Sequence, residues 1–111
     1  MQSFALALCL QDDAAKIETY KREHRRVWPE VIAKLHDVGV ERMQIFLIGR
    51  RLFMYLDTTD DFEPRSAFAN VMEDPKSREW NEWMMTLQEK APEAAPTDWW
   101  APMERVFDTR W

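Results

Sequence analysis

Residues 40–58 read VERMQIFLIGRRLFMYLDT. Two apolar runs, 40–48 and 52–58, flank Gly49-Arg50-Arg51. Short runs rich in aromatic and aliphatic residues on either side of a glycine-bearing turn predict two strands joined as a hairpin. Upstream, SFALALCL (3–10) is a further apolar run, closed by Gln11-Asp12-Asp13. Periodicity does not separate strand from buried helix over so few residues, but the length favours a strand. Between this run and the hairpin the period changes. Ile17, Tyr20, His24, Val27, Trp28, Val31 and Leu35 recur at steps of three and four, which predicts a helix over 14–38 with one apolar stripe. Asp12 or Asp13 supplies its N-cap and Gly39 its stop. Pro29 cannot donate to the carbonyl four residues back, so a kink is expected near 25–29.

Downstream of the hairpin, 60–64 is a polar loop and 68–72 a short helical piece ending near Asp74-Pro75. A second helix is expected over 76–90, with Trp80, Trp83, Met84 and Leu87 on one side. The Pro/Ala-rich stretch 91–101 is an extended connection, anchored by Trp99-Trp100, and 103–107 a last strand. Strand, helix, two strands, helix, strand is the split-βαβ, ferredoxin-like order. The predicted fold class is therefore α+β, with a four-stranded antiparallel sheet carrying both helices on one face. Its other face needs a cover, and in a chain this short a second copy supplies one, so a homodimer is expected.

Composition narrows the function. The chain has 111 residues, enough for a single domain over 1–111. Apolar residues make up 46%, including six Trp and six Phe, which is ample for a packed core. The net charge of −5 comes without a basic stripe, so nucleic acid is a poor partner. No apolar run approaches the ~20 residues of a membrane span. Cys9 is the one cysteine, so no intrachain disulfide forms, and its apolar surroundings predict an inert core thiol. These features predict a reduced, cytoplasmic chain. No glycine-rich loop, serine nucleophile elbow or histidine–cysteine spacing suited to a metal is present, so neither a metal nor a cofactor is implied.

Of two histidines, His36 falls off the apolar stripe and is expected at the surface. His24 falls on it, one turn after Tyr20 and one turn before Trp28. A histidine so placed is either a packed core or interface residue or an acid–base group. Aromatic neighbours on both sides make a dry wall with polar tips, suited to the C–H face and hydroxyl rim of a sugar. Trp80 and Trp83, with Asn81 between them, are either core aromatics or a sugar platform with an amide beside it.

The string Tyr20-Lys-Arg-Glu-His24-Arg-Arg-Val-Trp28-Pro29-Glu30 resembles the Y-x-x-x-H-x-x-x-W-P-E signature of the L-rhamnose mutarotase family. The likeness continues through Gly39 and Arg78-Glu79-Trp80 to the last strand. It implies a dimeric α+β barrel that needs no metal or cofactor and interconverts the α and β anomers of a deoxy sugar. It further implies that His24 is the proton donor, that Tyr20 binds sugar, and that Trp80 lines the pocket. Rhamnose-type members carry Tyr where this chain has Met43, and two adjacent Trp where it has Trp80-Asn81. Met43, with Leu-Phe-Met at 52–54 and Phe107-Asp108, is closer to the L-fucose mutarotase branch. The expected site is thus catalytic His24 with Tyr20, Trp28, Met43, Trp80 and Asn81 around the sugar, L-fucose ahead of L-rhamnose. The fold alone also admits an α+β-barrel monooxygenase or a non-catalytic sugar-binding module.

Overall fold

In the computed structural model, which describes residues 1–111, the elements run β1 (Gln2–Leu10), α1 (Ala14–Glu23), α2 (Pro29–Asp37), β2 (Val40–Ile48), β3 (Arg51–Thr58), α3 (Pro64–Glu73), α4 (Pro75–Met85), β4 (Gln88–Glu89) and β5 (Ala101–Pro102). Every strand pairing is antiparallel. The sheet order is β2-β3-β1-β4, with β5 also on β1. This is the α+β, ferredoxin-like arrangement predicted above, with β1 and β3 in its centre.

The hairpin forms where expected. Ile48 pairs with Arg51, leaving Gly49-Arg50 as a two-residue turn. Gly49 has φ +60° and Arg50 does not share its sign, so the glycine absorbs the left-handed step. Gly39 ends the helical region as predicted, with φ +106°. A Cβ there would lie 2.6 Å from the Thr59 hydroxyl oxygen, so only glycine lets β2 start so close to the 59–63 loop.

Four boundaries differ from the sequence prediction. The helix over 14–38 is two helices, not one with a kink. Trp28, preceding proline, takes an extended conformation (φ −56°, ψ 134°), and Pro29 begins α2 at its first turn. Arg25 and Arg26 close tight turns onto the Arg22 and Glu23 carbonyls, which ends α1. Prolines start α3 and α4 in the same way, each behind an acidic cap: Glu63 accepts from the Ser66 amide and Asp74 from the Ser77 amide. The piece at 68–72 is therefore the end of a longer helix. The helix over 76–90 stops at Met85, and Gln88-Glu89 pair with Leu10 and Cys9 as β4. Finally, 103–107 is not a strand. Ala101-Pro102 take the slots opposite Ala7 and Leu6, the Met103 amide still donates to the Ala5 carbonyl, and the chain then leaves the sheet.

All helices pack on one face of the sheet. Leu8 and Leu10 of β1, Leu52 of β3, Tyr20, Val31, Trp80 and Met84 form one buried cluster. Val40, Met54, Leu56, Phe62 and Ala67 form a second beside it. Strand alternation sends Ala5, Ala7 and Cys9 to the opposite face, with Gln44, Phe46 and Ile48 of β2 and Phe53 and Tyr55 of β3. Cys9 is thus half-buried on the face that lacks helices, not a thiol of the core.

Candidate active site

The break between α1 and α2 builds the site. His24 is the C-cap of α1, and its amide donates to the Tyr20 carbonyl at 3.1 Å. Its Nδ1 lies 2.9 Å from that same oxygen. A carbonyl only accepts, so Nδ1 carries the hydrogen and, in the neutral ring, Nε2 holds the free lone pair. The imidazole stacks on Tyr20 at 3.9 Å between centroids and meets the edge of Trp80 at 5.4 Å. Trp28 packs edge-on to Trp80 at 5.2 Å and near-parallel to Trp83 at 6.0 Å. The Lys76 ammonium sits 5.6 Å from the Trp28 ring centre. Tyr20, His24, Trp28 and Trp80, which the sequence placed on two helices, therefore form one continuous aromatic wall.

Burial lowers the His24 pKa below its ordinary value, and the bond to the Tyr20 carbonyl offsets part of that fall. The ring is accordingly neutral near neutral pH, with Nε2 available as a base. Burial raises the Tyr20 phenol well above its usual range, while the neighbouring Gln88 side chain opposes the rise. Tyr20 thus remains protonated and offers a donor. No three His, Cys, Asp or Glu side chains gather as a metal site. His36 is exposed, its Nδ1 2.9 Å from the Val40 carbonyl.

Two predicted residues stand elsewhere. Met43 packs against the second cluster, beside Val40, Leu56 and Phe62. Asn81 lies next to Trp80 in sequence but directs its amide to the Met85 sulfur, 3.4 Å away on its own helix. Conversely, Gln88 lies near Tyr20 although its sequence position did not suggest it. Its placement inside a helix hid that β4 pairs it with Leu10, on the face where Tyr20 packs. Strand β4 has only two residues, so no alternation could have revealed it.

The family model for L-rhamnose mutarotase matches residues 3–109. A UPF0734 protein of Dictyostelium discoideum is 41% identical over 114 residues, covering 99% of this chain and 91% of that protein. An L-fucose mutarotase of Xanthomonas campestris pv. campestris is 38% identical over 109 residues, covering 96% of this chain and 87% of that protein. Among solved structures, an L-rhamnose mutarotase from Formosa agariphila superposes with a TM-score of 0.72 at 23% identity, over 97% of this chain and 98% of that one.

Proposed function

The chain belongs to the L-rhamnose mutarotase family and is a carbohydrate-acting isomerase, and on that premise we propose that it interconverts the anomers of a 6-deoxy sugar, preferably L-fucose, with His24 as its acid–base residue. Family membership displaces the monooxygenase and binding-module readings. The observation that carries the proposal is the His24 ring: Nδ1 is spent on the Tyr20 carbonyl, and Nε2 is left beside an aromatic wall.

Mutarotation opens the ring to the aldehyde, rotates one bond and closes on the other face. His24 Nε2 takes the proton of the anomeric hydroxyl as the bond from C1 to the ring oxygen breaks. The ring oxygen receives a proton from the Tyr20 hydroxyl or a water. Closure runs these transfers in reverse, with the new anomeric oxygen protonated from His24. One such group contributes ~100- to 10,000-fold, enough for a reaction with a modest barrier. Trp28 and Trp80 pack the sugar's C–H face. Met43 and Asn81 depart from the rhamnose-type pattern as sequence positions, and this supports the L-fucose branch without making either residue a sugar contact. The likeness to an L-fucose mutarotase at 38% identity supports it as well.

The proposal includes a homodimer through the helix-free face, where a second copy would cover Phe46, Ile48 and Phe53. No helix is long and apolar enough to cross a membrane. A free Cys9 fits the reducing cytoplasm, where the proposal places the enzyme. Saturation-transfer NMR between the α and β anomers tests the function. Faster exchange of L-fucose than of L-rhamnose is expected with catalytic amounts of protein. Faster exchange of L-rhamnose would retain the activity and overturn the substrate. Acceleration of neither would overturn the proposal.

A further inference from the structure

Gln88 is a buried polar residue without a structural explanation. It is 5% exposed, beside Tyr20 at 4%. A primary amide offers two donor hydrogens and two acceptor lone pairs. The Gln88 side-chain amide makes no hydrogen bond within the protein, and the Tyr20 hydroxyl is its near neighbour. Yet no sealed polar side-chain atom in the chain lacks a partner, so the amide reaches open space. Gln88 also lines a recess of about 390 Å³ whose walls are polar throughout, with Gln11, Asp12, Arg50 and Glu89. Its size falls within the ~300–1,000 Å³ of small-molecule sites.

Gln11, Arg50 and Glu89 are committed elsewhere, and Asp12 is at the exposed rim. Gln11 donates to the Thr86 and Gln88 carbonyls and accepts from Lys16. Arg50 pairs with Glu89 and donates to the Leu10 carbonyl at 3.1 Å. Gln88 is the buried group of the recess with unspent capacity, and its pairing with Leu10 puts it on the face of the sheet where Tyr20 of the aromatic wall packs. A sugar has the same two-sided character. Its C–H face suits Trp28 and Trp80, and its hydroxyls both donate and accept, as an amide does.

We propose that Gln88 is a substrate-binding residue, its amide holding a sugar hydroxyl beside the Tyr20 hydroxyl. The inference rests on the mutarotase reading and adds a residue that selects the sugar by its hydroxyl pattern. A site built to bond a hydroxyl discriminates against analogues that lack it, because its buried polar groups are then left unpaired.

The test measures anomer exchange against sugar concentration for the wild type, Gln88→Leu and Gln88→Glu, using L-fucose and L-fucose analogues that each lack one hydroxyl. Gln88→Leu is expected to raise KM for L-fucose about 10-fold, the loss of one hydrogen bond, with kcat within about twofold. Gln88→Glu, which keeps the acceptors, should fall between. One analogue should bind the wild type about 10-fold more weakly than L-fucose, yet show no further loss in Gln88→Leu. An active wild type with unchanged KM in Gln88→Leu would overturn this inference and leave the mutarotase reading standing. A loss confined to kcat would overturn it too. A wild type that accelerates no 6-deoxy sugar would overturn both. Should Gln88→Leu fail to fold, the Gln88 side-chain amide resonance of labelled wild type decides: a shift on adding L-fucose supports the contact, and an unmoved resonance overturns it.

Discussion

On the helix-bearing face of the sheet Leu10 and Leu56 are wholly buried, whereas on the other face of the same strands Phe46 and Ile48 keep 52% and 77% of their surface exposed. The two faces have different chemistry. The first is filled by apolar side chains from β1, β2, β3 and all four helices and holds the candidate site. The second mixes small residues (Ala5, Ala7, Cys9) with Phe46, Ile48 and Phe53, and its polar groups pair among themselves: Ser3 donates to Asp57 at 2.8 Å, and Tyr55 donates to Ser3 at 3.2 Å. An apolar hollow lies there, bordered by Phe46, Ile48, Phe53 and Met103. A face meant for water would alternate to polar residues throughout. The difference teaches that one face supplies the packed core and the candidate site, and the other leaves large apolar side chains uncovered, the face through which the homodimer is proposed.

Four experiments break or sharpen this contrast. The largest effect is expected at His24. His24→Asn should cost ~100- to 10,000-fold in anomer exchange by NMR, with an unchanged circular-dichroism spectrum. Retained activity would strip the covered face of its catalytic role. Next, Leu56→Ala should lower the unfolding free energy by ~2–5 kcal/mol in urea titration, because a filled site becomes a cavity. On the opposite face Ile48→Lys should change the protomer's stability by no more than ~0.5 kcal/mol, yet convert a dimer to a monomer in sedimentation velocity. A wild type that already sediments as a monomer would break the contrast. The smallest effect concerns pH. The folded state holds His24 neutral more strongly than the unfolded chain does, so the unfolded chain binds the extra proton first. Stability from this source is full above the ordinary value of ~6.5 and is lost as the pH falls through the lowered folded value. Urea titrations at several pH values should show this slope in the wild type and a flatter one in His24→Asn.

Much of this architecture was legible because the long strands announce themselves. β1, β2 and β3 have eight or nine residues each, enough for an apolar run to be seen. The wall of Tyr20, His24 and Trp28 was legible from its steps of four, although the chain is not helical throughout. His24 caps one helix and Trp28 caps the next, and the turn between them keeps the spacing of a helical face. Trp80 joined them through packing of α4. What stayed hidden is short or depends on pairing. Strands of two residues have no period, so β4 was absorbed into a helix, and β5 was placed two residues too late. Gln88 was lost with β4. Met43 and Asn81 entered from a comparison of sequence positions, which carries no information on where a side chain points.

The short outer strands have a consequence for solubility. β2 forms one margin of the sheet, with Glu41 and Arg42 beside an irregularity in register between Val40 and Arg42. The other margin consists of β4 and β5, two residues each, and Pro102 lacks an amide hydrogen. Charge, a bulge, brevity and proline each make a margin a poor template for strand addition. A chain with this many apolar side chains is therefore guarded against ribbon-like growth along its sheet margins.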